Sequence, residues 1–124
     1  MIRAGLESIA YSSRDVVDCM AADAGLSLET LRVDGGACQN DFLMQFQADL
    51  LGCAVERPAV LEVTALGAAA LAGLAVGFFG DRSQLAAARG ETTRFEPRLS
   101  ASDRDALYAG WRRAVERSRG WAGS

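Results

Sequence analysis

Lysine and histidine are absent from this chain of 124 residues, so its 13 basic residues are all arginine. Without histidine there is no imidazole for general base catalysis or metal binding. Without lysine there is no Schiff base and no P-loop lysine. The 16 acidic residues give a net charge of −3, which argues against a nucleic-acid-binding protein.

Cysteine is scarce. The three cysteines are Cys19, Cys38 and Cys53, and no two of them form a C-x-x-C pair. An odd number without a paired spacing predicts reduced thiols and a cytoplasmic protein. Because no imidazole or further soft ligands accompany them, no metal site is expected.

Only one long uncharged run occurs, from Val63 to Gly80. Its length reaches the lower limit for a membrane-spanning helix, but alanine and glycine dominate it. The composition therefore favours a buried interior helix and no association with a membrane. No secretory signal pattern is found at the amino terminus.

Hydrophobic periodicity predicts helices at both ends of the chain. The first is expected over Ile2–Ala24, with Gly25 as its stop, and the last over Ser102–Trp121. No capping residue precedes Ile2, so the chain is expected to start within an element. The whole of residues 1–124 is expected to form a single partial domain.

The middle of the chain predicts a strand–helix–strand unit. A strand over Thr30–Val33 is followed by a helix over about Asn40–Leu51, with Asn40 as its N-cap, and by a strand over Cys53–Arg57. This spacing is typical of two parallel strands joined by a helix. The remaining predicted elements are a helix over Thr64–Gly77, a short helical stretch over Ser83–Ala88 and an edge strand over Thr92–Phe95.

The candidate site is the segment Val33–Asn40, in which two glycines separate a strand from a helix. Glycines let the backbone bend and approach a ligand closely. The amino terminus of a helix favours polar or anionic groups, and ligands often lie at the carboxyl ends of parallel strands. Taken alone, the same segment is also compatible with a simple tight turn.

Three stretches of the sequence carry a resemblance to a known family. They read ESIAYSSRDVVDCM, LRVDGGACQNDFLMQFQADLLGCAVERP and EVTALGAAALAGLAVGFF. Together they resemble the C-terminal domain of the FGGY carbohydrate kinases, and FLMQFQADLLG and VERP look most like the glycerol kinases of that family. The resemblance implies an α/β fold: part of an actin-like ATPase (ribonuclease H-like) domain with a βαβ core and several helices, but without the domain's first strands.

The resemblance also implies a nucleotide site with ATP as cofactor. Gly36 and Ala37 would lie against the adenine and ribose, Gly35 would supply the bend, and the Asn40 amide would contact the adenine edge by donating or accepting. Asp34 would either face the nucleotide or cap the turn. The TALGAA segment would lie where the two kinase domains meet, with Gly67 and Ala68 permitting close packing.

The family's phosphate loop and catalytic carboxylate have no counterpart in this sequence. No catalytic residue is therefore assigned, Mg²⁺ would arrive with the nucleotide, and the isolated chain is expected to lack kinase activity. Its partners would be ATP or ADP and either the remaining kinase portion or a second copy. Three alternatives stay open: a subunit of a split kinase, a kinase for another sugar or polyol, and a non-catalytic remnant or self-associating module.

Overall fold

The computed structural model describes residues 1–60, 63–81 and 90–121, which contain four helices and three strands. In chain order these are α1 (Ile2–Ala24), β1 (Thr30–Arg32), α2 (Asp41–Leu51), β2 (Ala54–Pro58), α3 (Val63–Ala75), β3 (Thr92–Phe95) and α4 (Ala101–Ser118). A 3₁₀ turn over Gly36–Gln39 joins β1 to α2. The helical stretch predicted at residues 83–88 lies outside the described residues.

The three strands form one sheet in the order β1-β2-β3. β1 and β2 are parallel, with Thr30 opposite Ala54, and β3 runs antiparallel to β2, with Phe95 opposite Val55. The predicted βαβ unit and the predicted edge strand are thus confirmed. The fold is α/β, as expected from the sequence.

Helix α2 forms the core together with β2. The side chains of Leu43, Met44, Leu50 and Val55 are fully buried. Asn40 precedes α2 as its N-cap and Gly52 ends it in the left-handed conformation, as expected for these residue types. The spacing of apolar residues predicts a buried face made of Phe42, Leu43, Phe46, Leu50 and Leu51. Leu43, Phe46 and Leu50 are buried as predicted, whereas Leu51 is half-buried and Phe42 is 39% exposed.

Helix α1 has the predicted boundaries, and Gly25 ends it with a φ of 63°. Only part of the apolar stripe that helical spacing predicts on α1 is buried. That predicted stripe consists of Ile2, Leu6, Ile9, Val16 and Met20, widened by Ala10 and Val17. Ala10 is the buried residue of α1, and Leu6 and Tyr11 pack beside it against the core. Because α1 contacts α2 through this neighbouring face, an apolar stripe remains exposed along α1: Ile2, Ile9, Val16 and Met20.

Helix α4 packs against α1 through aromatic and polar contacts. The Trp111 ring stacks on Tyr11 with centroids 5.3 Å apart. Asp15 accepts hydrogen bonds from the Tyr108 hydroxyl and, at 2.8 Å, from the Trp111 indole nitrogen. Of the two tryptophans near the predicted helix, Trp111 therefore docks, whereas Trp121 is 91% exposed.

The expectation that α3 is a buried interior helix is wrong for this chain. Leu71 is 70% exposed, and Val76 and Phe78, which follow the helix, are exposed as well. One small residue is used for packing, because a Cβ on Gly73 would lie 2.6 Å from the Phe79 ring. Within the described ranges, no helix is long and apolar enough to cross a membrane.

Candidate functional site

The site begins where the chain leaves the sheet after β1. The Val33 amide still donates to the Glu56 carbonyl at 3.0 Å, which extends the parallel pairing by one residue. Gly35 then adopts φ 83° and ψ 174°, a conformation that side chains with a Cβ avoid. The bend between strand and turn therefore requires a glycine at position 35.

The following 3₁₀ turn is closed by its own backbone and by one buried thiol. The amide of Cys38 donates to the Gly35 carbonyl, and the amide of Asn40 donates to the Ala37 carbonyl, both at 3.2 Å. The Cys38 side chain is buried, and its thiol donates to the Asp34 carbonyl at 2.7 Å. The main-chain oxygen of Asp34 thus helps to hold the turn, although Asp34 as a whole is exposed.

The Cys38 thiol stays protonated in this setting. Burial raises its pKa, the nearby charge of Asp34 raises it further, and Arg57 opposes both effects. A protonated thiol can donate a hydrogen bond, whereas a thiolate cannot. Cys38 is therefore suited to support the turn rather than to act as a nucleophile.

Asn40 has a defined orientation because it caps α2. Its side-chain oxygen accepts a hydrogen bond from the Leu43 amide at 3.0 Å, which fixes the assignment of oxygen and nitrogen in the side-chain amide. This bond engages the side-chain oxygen at the helix end, so the NH₂ group is the part of Asn40 that is better suited to contact a ligand. The sequence allowed Asn40 to donate or accept towards a ligand; the cap favours donation.

All four residues assigned to the site lie together on one exposed turn: Gly35, Gly36, Ala37 and Asn40. A Cβ placed on Gly36 would meet no atom within 4 Å, so the space above the turn is open. The turn lies at the carboxyl end of β1 and directly before α2, as predicted. The small side chains leave backbone and open surface where a flat ligand can approach.

Arg57 completes the site from the neighbouring strand β2. One guanidinium nitrogen donates to the Cys38 carbonyl at 2.8 Å and to the Asp41 carboxylate at 2.7 Å. The sequence assigned no partner to Arg57. Strand alternation could have indicated its direction, because residue 57 shares a face with Val55, which is buried against α2.

The arrangement provides recognition but no reacting group. In the described part of the chain, no group of three or more Cys, Asp or Glu side chains is placed to hold a metal ion. The exposed backbone, the Asn40 amide and the start of α2 are polar contacts for a ligand. This geometry can bind and orient a ligand, and chemistry would need groups from elsewhere.

Fold and sequence together point to a family of carbohydrate kinases. Residues 1–76 match the family model described as the FGGY family of carbohydrate kinases, C-terminal domain. The chain belongs to this family. The matched range contains α1, the whole βαβ unit, the candidate turn and α3.

Among the relatives, the chain is 57% identical to glycerol kinase of Petrotoga mobilis and 59% identical to that of Symbiobacterium thermophilum, over 98% and 97% of its length. It covers 24% of each relative. The crystal structure of Plasmodium falciparum glycerol kinase with ADP matches 96% of this chain and 24% of that chain, with a TM-score of 0.85 and 36% identity. The chain thus spans about a quarter of the length of these kinases, and the resemblance seen in the sequence is confirmed.

Proposed function

We propose that this chain is the adenosine-binding segment of a glycerol kinase, the enzyme that converts ATP and glycerol to glycerol 3-phosphate and ADP. Relatives named glycerol kinase match nearly the whole chain, and the solved glycerol kinase that it resembles contains ADP. The observation that carries the proposal is the exposed turn ending at Asn40, whose side-chain oxygen accepts from the Leu43 amide and so leaves the NH₂ group to contact a ligand.

In this proposal each residue of the turn has a separate task. Gly36 and Ala37 lie against the adenine and ribose, because their small side chains leave room for a flat ring. The Asn40 NH₂ group donates to an acceptor nitrogen of the adenine ring. Gly35 holds the bend that places the turn beside the ligand.

Phosphoryl transfer needs parts that this segment does not supply. Mg²⁺ would neutralise the phosphates of the nucleotide, and the general base and phosphate-binding loops would belong to the remaining kinase portion. Residues 1–124 form one partial domain in this proposal, located in the cytoplasm. Alone, the segment binds ATP or ADP without transferring phosphate.

The exposed small residues of α3 fit the same proposal. A Cβ on Gly67 would meet no atom within 4 Å, and Ala68 is exposed beside it. Another backbone can therefore approach α3 closely at this point. We assign this surface to contact with the second kinase domain, whose closure would exclude water from the reacting groups.

Calorimetric titration with ADP tests the proposal when three forms of the chain are compared. Asn40→Ser keeps a hydroxyl that can accept from the Leu43 amide, but it lacks the NH₂ donor. Asn40→Ala loses both the cap and the donor. We expect ADP binding by the unmodified chain and an affinity about tenfold lower in both variants, as for loss of one hydrogen bond.

The serine variant separates ligand recognition from helix capping. Asn40→Ala is expected to lower the free energy of unfolding by about 1 kcal/mol, whereas Asn40→Ser should lower it far less. Equal ADP affinity in all three forms, or no binding by the unmodified chain, would overturn the proposed function.

A further inference from the structure

The feature that the proposed function leaves unused is the side chain of Arg57. Its side chain is 17% exposed, and one of its nitrogens, Nη1, contacts both the Cys38 carbonyl and the Asp41 carboxylate. The Cys38 carbonyl lies within the 3₁₀ turn, and Asp41 is the first residue of α2. The two contacts therefore lie on either side of Asn40 in the chain.

The position of the guanidinium is itself constrained. It lies over the Phe95 ring, 5.2 Å from the ring centroid. Phe95 belongs to β3 and pairs with Val55, so it is fixed by the sheet. A cation held between an aromatic ring, a carboxylate and a carbonyl has little freedom to move.

These contacts join the turn to the sheet through a side chain. The backbone bonds of the turn are local, since Cys38 bonds to Gly35 and Asn40 bonds to Ala37. They define the shape of the turn but not its direction relative to β2. Arg57 supplies that direction, because it connects β2 to the turn and to the start of α2 at once.

We propose that Arg57 is a positioning residue of the nucleotide site: by holding the Cys38 carbonyl and the Asp41 carboxylate, it aims the Asn40 amide at the base. This inference rests on the proposed function. Arg57 itself does not contact the nucleotide, and it acts through the orientation of Asn40.

Three variants of the chain test this role. Arg57→Met keeps an apolar stem over Phe95 and removes both hydrogen bonds. Arg57→Lys retains a cation that can restore part of the contact. Arg94→Met is the matched control, because Arg94 forms ion pairs with Glu56 and Glu96 in the same sheet and neither partner belongs to the turn.

The first measurement is ADP affinity by calorimetry. Loss of a hydrogen bond to a charged group predicts about tenfold weaker binding in Arg57→Met. Arg57→Lys should show an intermediate affinity, and Arg94→Met should bind like the unmodified chain. Unchanged affinity in Arg57→Met, or an equal loss in Arg94→Met, would overturn the inference.

The second measurement is backbone hydrogen exchange without nucleotide, which separates positioning from general stability. In Arg57→Met the amides of Cys38, Asn40 and Leu43 should exchange faster, while the amides of β2 keep their protection. Uniformly faster exchange along the chain would show a merely structural role and overturn the inference. Asp41→Asn, which removes the negative charge of one partner but keeps an acceptor oxygen, should produce a smaller change at the same three amides.

The two measurements also distinguish the inference from the proposed function. If the unmodified chain fails to bind ADP, the proposed function fails. Hydrogen exchange at the amides of the turn then still decides whether Arg57 orients Asn40. Faster exchange at these amides alone in Arg57→Met supports the orienting role of Arg57, and unchanged exchange there refutes it.

Discussion

At the scale of single residues, the candidate site depends on two adjacent glycines with different tasks. Gly35 has a φ of 83° and Gly36 does not have a positive φ. A Cβ would find open space at both positions. Backbone conformation rather than crowding therefore distinguishes them, and their substitutions should have different effects.

Gly35→Ala should lower the free energy of unfolding by about 1–3 kcal/mol, because alanine is strained at this combination of φ and ψ. Gly36→Ala is the matched control and should change stability by less than about 0.5 kcal/mol. Denaturant unfolding followed by circular dichroism measures the free energy of unfolding of both variants. Equal stability of the two variants would contradict the structural role assigned to Gly35.

At the scale of secondary-structure elements, α4 is attached to α1 around one carboxylate. Asp15 accepts from the Tyr108 hydroxyl and from the Trp111 indole, and Trp111 stacks on Tyr11. The Arg14 guanidinium lies 4.0 Å from the Tyr108 ring centroid and also pairs with Asp105. The attachment of α4 is therefore polar and aromatic rather than aliphatic.

Asp15→Ala should release α4 from α1, because it leaves two donors without their shared acceptor. We expect a loss of about 1–2 kcal/mol in the free energy of unfolding and a change in Trp111 fluorescence. Asp18→Ala serves as the control, since the Asp18 pair with Arg14 is exposed and worth about 0.5 kcal/mol or less. Identical losses in both variants would show that Asp15 has no special part in the attachment.

The same contact predicts a dependence on alkaline pH. Burial and, after it, the hydrogen bond to Asp15 together raise the pKa of Tyr108 to about 12. A raised pKa stabilises the fold below the unfolded value of about 10, and that stabilisation is lost as the pH rises towards 12. Unfolding measured from pH 9 to 12 should show this loss, and Tyr108→Phe should reduce it.

The sequence predicted most elements but only some of the faces that they bury. The βαβ unit was predictable because the Asn40 cap, the Gly52 stop and the strand spacing are local signals. The burial of α1 was predictable only in part. Leu6 and Ala10 of the predicted stripe pack on the core, whereas Ile9 and Val16 follow helical spacing yet lie beside the face that meets α2. Periodicity identifies an apolar stripe, but packing decides what covers it.

The candidate site, too, was predictable from the sequence only in part. The turn and the cap were predictable from Gly35, Gly36 and Asn40, which are close in sequence. The role of Arg57 was not, because its partners Cys38 and Asp41 lie on another element. Likewise, the engagement of the Asn40 oxygen by the Leu43 amide, which favours donation to a ligand, is not revealed by composition.

At the scale of the whole molecule, the chain exposes apolar side chains on two helical segments. The α1 stripe includes Ile9 and Val16, at 46% and 57% exposure, and Leu71 of α3 is exposed at 70%. Contiguous apolar surface is typical of contact sites. Since the chain spans 24% of its glycerol kinase relatives, such surface fits a segment that works within a larger kinase.

The isolated chain is expected to self-associate through the α1 stripe. Replacing Ile9 and Val16 by Glu should reduce association, while the free energy of unfolding changes by about 0.5 kcal/mol or less per site. Sedimentation velocity over a range of concentrations provides the measurement. A monomeric unmodified chain at all concentrations would contradict this expectation.

The central claim is that this segment recognises the adenosine half of a nucleotide. The most direct test is calorimetric titration of the unmodified chain with adenosine and, separately, with inorganic pyrophosphate. We expect that adenosine binds, that Asn40→Ser weakens this binding, and that pyrophosphate produces no binding heat. Binding of pyrophosphate without binding of adenosine would contradict it and would assign the start of α2 to phosphate instead.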